Sequence, residues 1–328
     1  MKSLTFLAFL LGIYPLRAAN PALEKATVIV ATGASGEEAY VTPFSDWTAN
    51  WQKASKAAGA NLITLNPGQH NEREQLRKAL EKEPKEASMP LWIVLLGHGS
   101  FDGRDGKFNL PGDDLAATDL ATWLKPFQRT VVVICGFSAS GAFLKPLSAP
   151  DRIIVTATRN GAENNYARLG GYLSQTIADP SADLDKDGQI SLLEAWLAAA
   201  QRTADFYKND ERLATEHSLL DDNGDGLGTP SDWFQGVRVV KKSSSQQAPD
   251  GIRAHQIHLL TSAAEKSWPP ALREERDKLE RELAQLRETK ATTPPDEYYT
   301  KLEAILMQLA KVYGKGDTDA AKPAPKAD

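Results

Sequence analysis

The sequence predicts an α/β fold: a three-layer αβα sandwich around a mainly parallel sheet, followed by a pair of acidic loops and a helical hairpin. Three observations predict it. Short runs rich in β-branched residues alternate with segments of helical periodicity between Ala26 and Thr158. The runs Leu91 to Leu96 and Val131 to Ile134 are apolar at every position, the pattern of strands covered on both faces. After Asn164 the alternation stops, and the chain becomes acidic, then polar, then amphipathic.

Each element has its own justification. Ala26 to Thr32 (ATVIVAT) is the first strand, closed by the turn Gly33-Ala34-Ser35-Gly36. Phe44, Trp47, Trp51 and Ala54 recur at helical spacing, and Gly59 ends that helix. Asn61 to Leu65 is a second strand and Glu72 to Glu83 a charged second helix. Leu91 to Leu96 is the third strand, opening into a loop from Gly97 to Gly112, and Leu115 to Leu124 is a third helix. The central strand lies in Arg129 to Gly141 (RTVVVICGFSASG). Its small residues Gly136, Ser138, Ala139, Ser140 and Gly141 turn the backbone at the strand's carboxyl end, where open α/β sheets place their ligands. A helix from Gly141 to Leu147 and a fifth strand from Asp151 to Thr158 follow, so that the α/β domain occupies residues 20–180.

Residues 181–240 carry the two acidic loops. A helix from Tyr166 to Ala178 precedes the first; a Leu/Ala/Trp-rich helix and another near Glu211 to Leu220 lie between them. Residues 241–254, opening with KKSSSQQAPD, have the composition of a linker. In residues 255–315, Pro270 to Lys290 carries Leu272, Leu279, Leu283 and Leu286 among alternating charges, and Asp296 to Tyr313 is a second amphipathic helix. The pair reads as a hairpin around Pro294-Pro295, acting as a structural clamp on the sheet. Residues 316–328 form a disordered tail by composition.

The first 19 residues read as a secretory signal: Lys2 at the start, the apolar core Leu4 to Leu16, and Ala18-Ala19 as the cleavage site. Export to a periplasm or outside the cell is therefore expected. That core is too short for a membrane span, and no later apolar run approaches the ~20 residues one needs. Cleavage removes two cations and no acid, taking the net charge from −5 to −7 and arguing against non-specific nucleic-acid binding. The single cysteine, Cys135, excludes an intramolecular disulfide and reads as a small buried apolar residue within VVVIC.

The loop from Asp183 to Glu194 matches the twelve-residue EF-hand calcium loop at each position. Asp183, Asp185, Asp187, the carbonyl of Gln189, Ser191 and Glu194 are the expected oxygen donors, with Gly188 at the tight turn. A hard cation needs several oxygens gathered around one turn, and this spacing presents them together. The loop from Asp221 to Asp232 is a looser match, with Asp221, Asn223, Asp225, the carbonyl of Leu227 and Asp232 as expected ligands. Gly228 stands at its eighth position, a shorter acid at its twelfth, and Pro230 is awkward for an outgoing helix. An outgoing and an incoming helix between the loops would make a paired EF-hand with Ca2+ as the cofactor.

Chemistry of a different kind is suggested at the sheet rim. One strand ends in Gly97-His98-Gly99, and the next apolar strand ends in Ser138-Ala139-Ser140-Gly141. Neighbouring strands would deliver an imidazole and a hydroxyl to the same rim. This layout resembles the caspase-like cysteine peptidases, most closely the legumain branch, where a His-Gly ends one strand and a catalytic cysteine in a C-x-S-G context ends the next. Aligned on Ser140-Gly141, the cysteine position is held by Ser138. Val155 to Tyr166 (VTATRNGAENNY) looks like the strand and loop that shape the legumain specificity pocket, which points to Glu163 as a substrate-binding residue. The resemblance covers roughly residues 26 to 180 and implies a peptide or protein as substrate or partner.

A serine hydroxyl, far less acidic than a thiol, needs a base oriented by a third group and an oxyanion hole. Asp102, Asp113, Asp114 and Glu163 are candidate orienters. Two readings follow: an active serine variant with His98 as base, Ser138 as nucleophile and the Gly99 and Ala139 amides at the oxyanion, or a pseudoenzyme that kept the fold without the nucleophile. An α/β-hydrolase elbow ranks below both. It would need His255 or His258 as its histidine, and Gly136-Phe137-Ser138-Ala139-Ser140 lacks the final glycine. A non-catalytic calcium-dependent interaction protein is the reading from a different class.

Overall fold

The computed structural model describes residues 25–65, 68, 71–241 and 249–320. The expected signal segment, His70, most of the polar stretch after Lys241 and the last eight residues lie outside the described residues. Five strands form the parallel part of the main sheet: β1 (Thr27–Thr32), β2 (Asn61–Thr64), β3 (Leu91–Gly97), β7 (Val131–Phe137) and β8 (Arg152–Thr156). Three short strands between β3 and β7 make a small antiparallel sheet: β4 (Gly99–Phe101), β5 (Gly106–Phe108) and β6 (Leu115–Ala116). Two more, β9 (Leu219–Asp221) and β10 (Thr229–Pro230), extend the main sheet antiparallel to β8, giving the order β10-β9-β8-β7-β3-β1-β2.

Helices cover both faces, which explains why β3 and β7 are buried along their whole length. On one side, α1 (Val41–Ala58), α5 (Leu169–Thr176) and α6 (Leu192–Asn209) pack Phe44, Trp51, Leu173 and Trp196 onto Val28, Trp92, Val94 and Val132. On the other, α2 (Glu72–Lys82), α3 (Ala117–Leu124) and α4 (Gly141–Leu147) pack Leu76, Leu80, Leu120 and Phe143 onto Ile29, Ile93, Val133 and Cys135. Alternate residues of one strand thus enter opposite cores, the period-two rule of a pleated strand. This is the three-layer αβα sandwich with a mainly parallel sheet that the sequence predicts.

Several elements differ from expectation. Part of the Gly97 to Gly112 loop is strand, because β4 and β5 pair across the turn at Gly103. The segment near Glu211 to Leu220 is not a helix: it runs irregularly into β9. Glu216 decides this, since its buried carboxylate accepts the amides of Arg168 (2.8 Å) and Leu169 (3.1 Å) at the start of α5 and holds the segment open. The second acidic loop therefore runs between the paired strands β9 and β10, and among the described residues no helix leads into or out of it as a paired EF-hand would need.

The supposed linker is also structured where it is described. Asp250 is buried, and α7 (Ile252–Gln256) follows at once. Beyond it come α8 (Ala263–Ser267), α9 (Pro270–Glu288) and α10 (Pro295–Ala320), the last running past Tyr313 into the stretch whose composition suggests a tail. The hairpin α9–α10 is present, but it does not lie on the sheet. Trp268, Leu272, Leu279, Leu283, Leu309 and Val312 form a separate core, which Gln256 of α7 joins through hydrogen bonds to the Asp277 carbonyl and Glu280.

Candidate functional site

The carboxyl ends of β3 and β7 are side by side, with Gly97 in register with Phe137, so His98 and Ser138 leave neighbouring strands at one rim. Their side chains have different partners. The His98 ring stands edge-on to Tyr40 (centroids 4.7 Å apart) and Phe44 (5.1 Å), with Tyr166 stacked on Tyr40. Burial among these rings pulls the His98 pKa down, and a hydrogen bond involving the Ser35 backbone opposes this only in part. The imidazole is thereby held toward its neutral form.

Ser138 bonds to backbone. Its hydroxyl accepts from the Gly99 amide at 3.0 Å and donates to the Gly99 carbonyl at 3.1 Å, and the residue is only 2% exposed. Among the described residues no hydrogen bond joins His98 to Ser138. The amides expected at the oxyanion are engaged too: that of Gly99 by the serine hydroxyl, that of Ala139 by the Glu163 carbonyl at 2.8 Å. Gly99 is fixed in place, since a Cβ there would come within 2.4 Å of the Ser138 carbonyl oxygen. Ala139 takes a left-handed φ of 58°, uncommon for a residue with a side chain. Ser140, fully buried, accepts from the amides of Ala157 and Thr158 and ties the turn to the end of β8.

None of the candidate orienters reaches His98. Asp102 closes its own turn by accepting from the amides of Arg104 and Asp105, and Asp114 accepts from Leu110. Glu163 instead pairs with His217: Oε1 lies 2.7 Å from Nδ1, while Oε2 accepts the amides of Arg159 (2.9 Å) and His217 (3.1 Å). His255 and His258 lie against the first acidic loop, at Asp185 and Ser191, so neither completes a triad at Ser138. The Cys135 thiol is buried among apolar side chains, which pushes its pKa well above the usual thiol range. A cavity of about 490 Å³ lies between α6 and the β9–β10 hairpin, lined in part by Arg159, Tyr207, His217, Leu219 and Trp233, and it meets the rim through Arg159 and His217, the partners of Glu163.

In the first acidic loop, carboxylate oxygens of Asp183, Asp185 and Asp187 lie within 4.8 Å of one another, and Asp185, Glu194 and the ring of His255 form a second such set. Gly188, at φ 84°, makes the tight turn. Glu194 is buried at the start of α6, where it caps the helix reciprocally with Ser191. Its Oε1 accepts the amides of Leu184 (2.8 Å) and Asp185 (3.2 Å), and its Oε2 accepts from the Ser191 hydroxyl (2.8 Å). The donors are oxygens apart from the His255 ring, and they suit a hard cation such as Ca2+.

In the second loop Asp221, fully buried, receives the amides of Gly224 and Gly226, and Asn223 receives that of Asp225. Asp225 accepts from the amide of Leu227. Asp232, the expected twelfth ligand, points away: its side chain is 69% exposed and pairs with Lys241 at 2.7 Å. Sequence reasoning missed Asp250, Asp222 and His217, and weighed His255 only as a hydrolase histidine, whereas its ring lies beside Asp185. Asp250 and His255 sit in or beside a segment read as linker, and no local spacing connects them to loops far upstream.

No family model and no curated protein sequence matches the chain. Among solved structures, the chain is similar to the Drosophila initiator caspase Dronc, at 13% identity and a TM-score of 0.43, covering 63% of this chain and 81% of that one. It is also similar to caspase-1 from Spodoptera frugiperda, at 11% identity and a TM-score of 0.39, covering 60% of this chain and 86% of that one. No described helix is long and apolar enough to cross a membrane.

Proposed function

We propose that this chain is an exported calcium-binding protein of caspase-like fold, a pseudoenzyme that holds a peptide or protein partner rather than cleaving it. One observation carries the loss of catalysis: the Ser138 hydroxyl is buried and both donates to and accepts from the Gly99 backbone. A serine nucleophile must be exposed and share a proton with its base, and the ring of His98 is packed among Tyr40, Phe44 and Tyr166 instead. Export is supported by the pattern of residues 1–19, and calcium by the oxygen donors of the first loop. There Asp183, Asp185, Asp187 and Glu194 would hold the ion, which would supply charge neutralisation and fix the start of α6.

The competing reading, an active serine hydrolase, has one observation in its favour. The left-handed Ala139 directly after Ser138 is a strained residue at a strand end, a place where functional sites concentrate strain. Labelling with a serine-directed fluorophosphonate separates the two, using wild type and Ser138→Ala with and without calcium. No labelling in either condition is expected. Labelling that disappears in Ser138→Ala and in His98→Ala would establish an activated serine and end the pseudoenzyme reading.

A further inference from the structure

The two acidic loops share a pattern that their sequences hide. In the first, the twelfth-position Glu194 receives the amides of the second and third loop residues, Leu184 and Asp185, and the hydroxyl of the ninth, Ser191. In the second, the twelfth residue receives none of these. They go to Asp250: its Oδ1 accepts the amides of Asp222 (2.9 Å) and Asn223 (3.2 Å), the second and third residues. Its Oδ2 accepts the hydroxyl of Thr229, the ninth, at 2.6 Å. Asp250 is 4% exposed, where Asp232 stands in solvent.

A second observation concerns charge. Asp221, Asp222 and Asp250 are all buried at this edge of the sheet. Asp222 Oδ2 caps α7 by accepting the amides of Gly251, Arg253 and Ala254, but its Oδ1 is buried without a hydrogen-bond partner. Buried carboxylates are costly unless they are paired or bound to metal.

We propose that Asp250, not Asp232, is the carboxylate that closes the second loop around calcium. This rests on the calcium reading above and adds which residues hold the second ion: Asp221, Asn223, Asp225, the Leu227 carbonyl and Asp250. The set has three carboxylates where the first loop has four, so the second site binds more weakly. The stretch that brings Asp250 also reaches the first loop. His255 Nε2 lies 2.9 Å from Asp185, the Leu192 amide donates to the Ile257 carbonyl at 2.8 Å, and Ser191 bridges to His258. The two ions are thus connected through residues 250–258 rather than through a direct pairing of the loops.

Calorimetric titration of the full chain with CaCl2 tests this, using wild type, Asp250→Asn, Asp232→Ala and Glu194→Gln. Wild type is expected to bind two ions, and Asp232→Ala to keep both affinities within about threefold. Asp250→Asn is expected to lose ~100-fold or more at one site, and Glu194→Gln to lose the other. Two unaltered sites in Asp250→Asn, or a lost site in Asp232→Ala, overturns the assignment while leaving calcium binding intact. A single wild-type ion that Glu194→Gln abolishes does the same. A wild-type chain that binds no calcium refutes the calcium reading itself, and the assignment with it. Should circular dichroism show Asp250→Asn unfolded, exposed Asp232→Ala decides: two sites uphold the assignment, one overturns it.

Discussion

Ser138→Ala distinguishes a hydroxyl that pins a turn from one that attacks a substrate. The hydroxyl makes two hydrogen bonds to one residue, accepting from the Gly99 amide and donating to its carbonyl, at a site closed to solvent. Gly99 starts β4, and a Cβ there would meet Phe137 at 2.5 Å and the Lys107 carbonyl at 2.8 Å, so the surroundings leave little room to relax. Each neutral hydrogen bond contributes ~1 kcal/mol net, and a buried partner left unpaired adds to the loss, so the variant is expected to lose ~2 kcal/mol. At ~2–4 °C per kcal/mol for a domain of this size, the melting temperature falls by ~4–8 °C. The assay is differential scanning calorimetry at neutral pH without added calcium. An exposed nucleophile contributes little to stability, so its truncation stays within ~0.5 kcal/mol. A fall of less than ~1 °C, the size of that smaller effect, would refute the argument that the hydroxyl is locked in the turn.

Other expectations follow from the same geometry. In Ser138→Cys the new thiol is as enclosed as the serine, so iodoacetamide leaves native protein unmodified; stoichiometric alkylation would contradict the burial. Burial lowers the His98 pKa below that of the unfolded chain, so its contribution is complete above about pH 6.5 and is lost as pH falls through the folded value. The melting temperature of His98→Phe minus that of wild type therefore rises as pH drops below 6.5, and a difference independent of pH would sink this account. Gly141→Ala would bring a Cβ to 2.2 Å from the Asn160 nitrogen, a main-chain atom that cannot step aside. Overpacking of that kind costs ~1–3 kcal/mol, visible as a lower urea midpoint, whereas an unchanged midpoint would show that the α4 junction is loose. Calcium at a hundredfold excess over its dissociation constant adds ~2.7 kcal/mol per site, so the melting temperature rises with the ion and returns with EDTA; no change would count against the calcium loops.

The strands and the rim were legible because they are local. Val131 to Ile134 reads as a doubly covered strand and Ser138 to Gly141 as the turn that ends it, although Gly136, expected in that turn, lies within β7 against Gly170. The clustering of carboxylates in the first acidic loop was legible for the same reason: Asp183, Asp185, Asp187 and the turn at Gly188 are close along the chain, so spacing alone brings them together. The hydrogen bonds that give these residues their roles were not legible, because they join positions far apart. Whether Ser138 meets His98 or Gly99 depends on rotamers chosen by the packing of Tyr40, Phe44 and Tyr166. Glu216 could read as part of a helix until α5 supplied the amides that draw it away. The second loop shows the contrast most plainly. Its sequence offers Asp232 by count, but that residue lies in a turn just past β10 with its side chain in solvent, and the fold brings Asp250 into contact with the amides and hydroxyl that a twelfth ligand would take. Periodicity and turn chemistry act over a few residues and are written in the chain; a carboxylate's partners are settled only when distant segments exclude water from around it.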